Sequence, residues 1–374
     1  MKIGINAITI NKHKTGIGTY TYELLKHLLE IDKKNEYIVF LPEDSTMDFH
    51  AENLKLVYIK ANINKPLLQL LWENVYLPGL IKKKNIDIFF SPSFVLPFFS
   101  FKSKSVITVH DLAYIIFPET KSFLFGKYIR FIVPRSVRKA DRIICDSKST
   151  QDDLIKYYKT SGEKSIVIHL GCNLSVNTFD SSLIFKFREK YELKNNYIVY
   201  IGNDDPRKNL SRLIQSFKLL KEKPSGRDMQ LVLIGKRRKE EKLTLMVKQL
   251  GIEHDVKFID YLKENELNLA YAGAKLLVYP SIYEGFGLPI LEAMACGIPV
   301  LTSNISSMPE IADDAAVFVN PYDVENICMG MESILKDNKL REALIDKGFQ
   351  RIKKFSWLQT AEKTLEVFKS LEST

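Results

Sequence analysis

Apolar residues fall into two alternating rhythms along almost the whole chain. Short runs rich in β-branched and aromatic residues recur at Lys2–Ala7, Tyr37–Leu41, Leu54–Ile59, Ile86–Phe90, Ser105–Val109, Arg142–Cys145 and Ser165–Ile168. Several are apolar throughout, as strands buried on both faces are. Between them, apolar residues three and four apart predict helices near Gly18–Glu30, Pro66–Lys83, Lys121–Lys139 and Lys148–Tyr158. Alternation of this kind predicts an α/β fold with a parallel sheet.

The rhythm lapses once, in the polar stretch Gly171–Ser182, and then restarts. Strands are predicted at Tyr197–Ile201, Gln230–Ile234, Val256–Phe258, Lys275–Tyr279, Pro299–Leu301 and Ala316–Val319. The intervening helices lie near Asn209–Lys221, Lys239–Leu250, Glu264–Tyr271, Leu288–Ala295 and Val324–Lys336. A last amphipathic stretch, Ser356–Leu371, repeats Trp357, Leu358, Ala361, Leu365 and Phe368 and needs a surface to cover. We therefore expect two doubly wound, Rossmann-like domains, 1–172 and 173–355. Their ligand-binding sheet ends should face each other across a cleft suited to a two-part substrate.

The length of 374 residues fits two domains, and 45% hydrophobic with 26% charged residues is ordinary globular composition. No apolar run reaches the ~18 residues of a spanning helix. The opening MKIGINAITI reads as a first strand rather than a signal peptide, so the expected location is the cytoplasm. Cys145, Cys172, Cys296 and Cys328 form no CxxC pair, which fits reduced thiols better than disulfides or zinc.

The net charge of +9 lies entirely in the first half. Residues 1–200 hold 29 basic against 20 acidic side chains, and residues 201–374 hold 25 of each. Within the first half, Lys121–Lys139 mixes lysines and arginines with Phe123, Phe125, Tyr128 and Phe131 and contains no acid. That composition suits peripheral contact with an anionic membrane, to which Phe94–Phe101 would add apolar contact. An ordinary amphipathic helix explains it equally well. No nucleic-acid recognition motif accompanies the charge, so nucleic acid is not expected as a partner.

Four segments carry candidate chemistry. Thr15-Gly16-Ile17-Gly18-Thr19-Tyr20 opens a helix after the first strand, where glycines admit a close ligand and helix amides face an anion. It fails as a dinucleotide fingerprint because Thr21 stands at the third glycine position, and no P-loop is present. Asn203–Asn209 follows the first strand of the second half and offers Arg207 and Lys208 to a diphosphate. His110 and Asp111 lie at the carboxyl end of a strand, where α/β sites form. The block Pro280–Gly297 ends a strand, carries Glu284 with Gly285 and Gly287 in a loop, and places Glu292 in a short apolar helix. A carboxylate among Leu291, Met294 and Cys296 is costly unless it has a task.

Taken in order, TGIGTY, HDL, Cys145–Ser147, DPRKNL, PSIYEGFGLPILEAMACGIPV and SSMPEIADDAA resemble a family 4 retaining glycosyltransferase of the GT-B fold. The spacing of Glu284 and Glu292 matches the family's E-x7-E motif, and nearly the whole chain is covered. The resemblance implies that Glu292 binds the ribose hydroxyls of a nucleotide-diphosphate sugar and that Glu284 lies beside the transferred sugar. Backbone amides of Phe286, Gly287 and Leu288 would contact sugar and phosphates, Arg207 and Lys208 would hold the diphosphate, Gly16 and Gly18 would line its other side, and His110 would face the sugar. Asn203 stands where many members carry a basic residue, so the clamp leans on Arg207 and Lys208. The closing helix, 356–374, would pack back on the first domain.

No Asp-x-Asp occurs, so no metal or other cofactor is expected, and Lys208→Ala should lower turnover at least tenfold. Retention by front-face attack is the expected course, with Glu284 as a covalent nucleophile the alternative. A sugar-nucleotide epimerase of the same architecture is the rival class, and E-x7-E argues against it. The PRKN and YEGFGLP variants resemble mannosyltransferase-like members of bacterial polysaccharide assembly. GDP-mannose is therefore the favoured donor over UDP- and dTDP-sugars, and a glycan or lipid-linked oligosaccharide the favoured acceptor.

Overall fold

The structure is a computed structural model that describes every residue except 11–15, 46, 48–49, 60–67, 69–70, 100, 119–122, 173–179, 237–239 and 373–374. It divides into two compact units, Met1–Gly171 with Phe355–Thr374, and Cys172–Lys354. Both boundaries fall one residue from those expected.

The first unit is built on strands β1 (Lys2–Asn6), β2 (Glu36–Pro42), β3 (Leu54–Ile59), β4 (Ile88–Ser91), β5 (Lys104–Val109), β6 (Arg142–Cys145) and β7 (Ser165–Val167). They pair in the order β3-β2-β1-β4-β5-β6-β7, every neighbour parallel. The second unit holds β8 (Tyr197–Ile201), β9 (Gln230–Ile234), β10 (Val256–Ile259), β11 (Leu276–Tyr279), β12 (Val300–Ser303) and β13 (Ala316–Val319) in the order β10-β9-β8-β11-β12-β13, again all parallel. Parallel strands need crossovers, and the crossover helices cover both sheet faces, so Ile198, Val199, Tyr200, Leu231, Leu277 and Val278 are buried.

In each sheet the strand order reverses beside its first strand, between β1 and β4 and between β8 and β11. Chain leaving those strands diverges to opposite faces and opens a crevice at their carboxyl ends. The glycine segment at 16–18 follows β1, Asn203–Asn209 follows β8, and Pro280–Gly287 follows β11.

The final helix, Trp357–Glu372, belongs to the first unit and packs on the helix Gly16–Ile31. It buries Trp357, Ala361, Leu365, Val367, Phe368 and Leu371 and leaves Glu362, Lys363, Glu366 and Lys369 exposed. Phe368 meets Phe90 edge-on with ring centroids 5.4 Å apart, and Thr360 Oγ1 donates to the His169 carbonyl at 2.8 Å. A side chain at Gly171 would lie 2.3 Å from the Trp357 amide nitrogen, so only glycine lets the helix approach there.

Among the described residues four α-helices were not foreseen: Ala113–Ile116, Ser181–Tyr191, Met308–Ala312 and Asn338–Ile352. Two of them are short. Ser181–Tyr191 buries only Phe187 and Asn338–Ile352 only Leu344 and Gly348, so neither writes an apolar stripe into the sequence. The described part of the expected helix Pro66–Lys83 contains a wider π-turn, Trp72–Tyr76, followed by the helix Leu77–Lys83.

Candidate active site

In the second unit, β8 is followed by Gly202, where φ is +149° and an added side chain would lie 2.6 Å from the Tyr200 hydroxyl, which leaves no room for one. Asn203 is exposed on the loop that follows. Asp205 then caps the turn Pro206–Lys208 by accepting from the Arg207 amide at 3.2 Å. Asn209, held at φ +63°, sends its buried side-chain amide to the carbonyls of Pro280 (3.0 Å) and Pro321 (2.6 Å). The Ile282 amide donates to the Arg207 carbonyl at 2.7 Å. These bonds staple the Arg207-Lys208 turn to the loop after β11 and bring together residues more than seventy positions apart.

Glu284 is the focus of that juxtaposition. It is 6% exposed, and Lys208, 8% exposed, donates to its Oε1 at 2.6 Å. The Tyr279 hydroxyl donates to the same oxygen at 2.7 Å and accepts from Lys208 Nζ at 2.8 Å, closing a three-membered ring of polar groups. Arg207 stands 3.6 Å from Glu284 Oε2 and 3.6 Å from Asp205, with its side chain 18% exposed. Burial alone would push the Glu284 carboxyl up, but the charges of Lys208 and then Arg207, with the two donated bonds, hold it below its ordinary value. Ser306 and Ser307 fix the loop backbone, Ser306 Oγ donating to the Glu284 carbonyl at 2.8 Å and Ser307 Oγ to the Phe286 carbonyl at 2.8 Å.

Gly285 and Phe286 are buried, and Gly287 starts the helix Leu288–Ala295 at φ +108°, a left-handed position that favours glycine. No side chain caps that helix. Glu292 lies one turn and a half inside it. Tyr271, from the helix Glu264–Ala272, donates to Glu292 Oε2 at 2.7 Å. Here burial wins: with no described cation beside it, the Glu292 carboxyl is pushed up, the Tyr271 bond only partly offsetting this and Glu264 adding to it. The two glutamates of one motif thus sit in opposite electrostatic settings.

In the first unit, Gly16 and Gly18 lie inside the first turn of their helix, Gly16 exposed with open space where a side chain would go and Gly18 buried. Thr15 lies outside the described residues. Asp111 Oδ1 accepts from the Ala113 amide at 3.0 Å and starts a short helix. His110 is gripped from both sides, Nδ1 against Asp146 Oδ2 at 2.7 Å and Nε2 against the Pro92 carbonyl at 3.0 Å. Two acceptors ask for two N–H donors, which is the imidazolium form. Burial lowers the His110 pKa, yet Asp146 and the Pro92 carbonyl outweigh it and the net shift is upward. Tyr20 packs edge-on at 4.9 Å and hydrogen-bonds Thr108 at 3.0 Å.

Residues 183–351 match the model of the group 1 glycosyl transferases, and residues 14–176 match that of glycosyltransferase family 4. The O-antigen chain mannosyltransferase B of Escherichia coli is 30% identical over 99% of this chain and 100% of its own. The chain belongs to the family 4 glycosyltransferases. The O-antigen chain mannosyltransferase RfbU of Salmonella typhimurium is 29% identical over 85% of this chain and 87% of its own. Sucrose-phosphate synthase of Thermosynechococcus elongatus shares the fold, GT-B, with TM-score 0.79 and 18% identity over 100% of this chain and 99% of that one.

Within this glycosyltransferase, sequence reasoning offered Arg207 and Lys208 to a diphosphate and set Glu284 beside the sugar, and the structure brings the three side chains together. Lys208 is paired there with Glu284 at 2.6 Å. His110 likewise has both nitrogens occupied, so it meets a sugar hydroxyl only by giving up a partner. Tyr279, Tyr271, Asn209, Ser307 and Asp146 were not singled out, because a tyrosine ending a strand or an aspartate after one has the same sequence signature whether or not it bonds a functional group. The segments Cys145–Ser147 and SSMPEIADDAA, which carry Asp146 and Ser307, were the available signal. Among the described residues no group of three His, Cys, Asp or Glu side chains is placed to hold a metal ion. No helix among them is long and apolar enough to cross a membrane.

Proposed function

We propose that this glycosyltransferase moves a mannosyl residue from GDP-mannose to a hydroxyl of a growing glycan or lipid-linked oligosaccharide in surface-polysaccharide assembly, with retained anomeric configuration and without a divalent metal. The mannosyl donor is supported by the two relatives named as O-antigen mannosyltransferases, one matched from end to end. The observation that carries the mechanism is the Arg207-Lys208-Glu284-Tyr279 constellation at the strand-order reversal of the second unit.

In this reading the bond from the anomeric carbon to the phosphate oxygen breaks with its electron pair passing to GDP. The acceptor oxygen attacks from the same face and its proton passes to the departing phosphate. Negative charge grows on the diphosphate, and the groups able to meet it are Arg207, the first amides of the helix Leu288–Ala295 and, once drawn away from Glu284, Lys208. Tyr271 would hold Glu292 as an acceptor for the ribose hydroxyls. A Glu284 carboxylate surrounded by two cations and a tyrosine hydroxyl is a poor nucleophile, which favours the front-face course over a covalent adduct.

The test is a donor panel on the purified enzyme. GDP-mannose should raise the melting temperature and be turned over with a saccharide acceptor, and chelator-treated enzyme should keep its rate. Preference for a UDP- or dTDP-sugar would overturn the donor, and activity that appears only on adding manganese or magnesium would overturn the metal-free clamp. Arg207→Ala, whose side chain is the more exposed of the two cations, should lower turnover at least tenfold with little change in stability.

A further inference from the structure

In the first unit, one turn of chain holds both the ring and the backbone of His110. Asp146 Oδ2 meets the imidazole Nδ1 at 2.7 Å, and the His110 carbonyl accepts from Thr150 Oγ1 at 3.3 Å. Thr150 is itself fixed by the Ser147 hydroxyl, which donates to it at 3.2 Å and caps the helix Lys148–Tyr158 after β6. The other ring nitrogen, Nε2, meets the Pro92 carbonyl at 3.0 Å, and the side chain remains 15% exposed. A carbonyl can only accept, so Nε2 carries a proton; a carboxylate can only accept as well, so Nδ1 carries the other.

Asp146 has little else to do. It is 2% exposed, and among the described residues His110 is its one ion-pair partner. Its second oxygen, Oδ1, is buried without a hydrogen-bond partner. A carboxylate taken out of water and engaged at a single oxygen needs a charged partner, and a neutral imidazole would leave it uncompensated. The other titratable groups about the ring do not replace it. Asp111 follows in sequence and starts a short helix, Tyr20 packs edge-on with its hydroxyl on Thr108, and Lys148 is paired with Asp152. Burial opposes the charge on His110, and Asp146 outweighs it, with a smaller contribution from Asp111.

We propose that Asp146 is a positioning residue for sugar transfer, keeping His110 a doubly protonated donor whose Nε2 proton leaves the Pro92 carbonyl for a substrate oxygen at the carboxyl end of β5. The proposal rests on the reading of His110 as the sugar-facing residue and adds a condition to it. Only the imidazolium serves, and Asp146 acts through His110 alone.

The test uses the full chain in two arms. In the first, without substrate, the ring signal of His110, identified among six histidines by its loss in His110→Gln, is followed by NMR over a pH titration. It should titrate above the ordinary value of about 6.5 in the parent and about one unit or more lower in Asp146→Asn. In the second arm, turnover of GDP-mannose is measured over the same pH range. Parent turnover should fall as pH rises through the His110 value. In Asp146→Asn that limb should move to lower pH by the same interval as the ring, which is about a tenfold loss per unit on the basic side. Asp146→Glu, which keeps the charge, should recover part of the shift. His110→Gln should lose the limb altogether, and adding Asp146→Asn to it should lower turnover no further.

A His110 that titrates at or below the ordinary value would overturn the proposal, and the parent titration and Asp146→Glu decide it even where Asp146→Asn does not fold. So would an Asp146→Asn profile that drops in height while its limb stays in place, because an aspartate that only supports the fold changes the amount of active enzyme and not the pH at which it works. A parent that turns over no nucleotide sugar would instead overturn the sugar-transfer reading, and the role of Asp146 in it, whatever the titration shows.

Discussion

At the scale of the residue, the second unit shows how two carboxylates eight positions apart acquire different chemistry. Glu284 is ionised and buried because Lys208, Arg207 and Tyr279 surround it; Glu292 has one tyrosine and, among the described residues, no cation. Truncating one member of a buried pair leaves the other charge uncompensated, which typically costs about 3–5 kcal/mol. Lys208→Ala is therefore expected to lower stability by that order in urea unfolding as well as turnover by tenfold or more, whereas Tyr279→Phe, losing one hydrogen-bonding hydroxyl, should cost about 1–2 kcal/mol. The depressed pKa of Glu284 means that its stabilisation is present above the ordinary glutamate range and is lost as pH falls through the lower folded value. His110 acts in the opposite sense, its raised pKa stabilising fully below about 6.5 and ceasing to do so as pH rises through the higher folded value. Following the imidazole by NMR should show a pKa above the ordinary histidine value in the parent and a lower one in Asp146→Asn.

At the scale of the element, the helix Trp357–Glu372 shows what amphipathic spacing can and cannot announce. Its apolar residues promised a buried face, and the face is filled by Tyr20, Phe90 and the chain at His169–Gly171. Trp357→Ala should cost about 3–5 kcal/mol, read as lower resistance of the first unit to denaturant. Helices with thin apolar faces, Ser181–Tyr191 and Asn338–Ile352, were illegible for the converse reason, since most of their residues meet water. The π-turn at Trp72–Tyr76 was equally hidden, because one wider turn leaves the three-and-four spacing around it nearly unchanged.

At the scale of the molecule, the second unit is one continuous stretch, Cys172–Lys354, while the first is closed by residues from the far end of the chain. A fragment spanning 172–354 should consequently fold alone with a cooperative melting curve, and GDP should raise its melting temperature if the donor reading holds. The fragment 1–171 lacks its covering helix, leaves the face beneath Trp357 and Phe368 open, and should remain unfolded or aggregate until a peptide of residues 355–374 is added. Circular dichroism on the two fragments checks both expectations. The uneven charge belongs to the same division, the excess of +9 lying in residues 1–200, where the exposed face of Phe123–Lys139 also lies.

Periodicity, strand composition and motif order were enough to establish two parallel-sheet α/β units, the family and the segments that hold the candidate site, because each depends on residues close in the sequence. What only the tertiary structure decided is who touches whom. Asn209 joins the Arg207-Lys208 turn to the loop of Glu284, and that single juxtaposition pairs Lys208 with Glu284. The physical reason is that charge state and availability depend on distances of a few ångströms between segments seventy residues apart, and no local pattern records such distances.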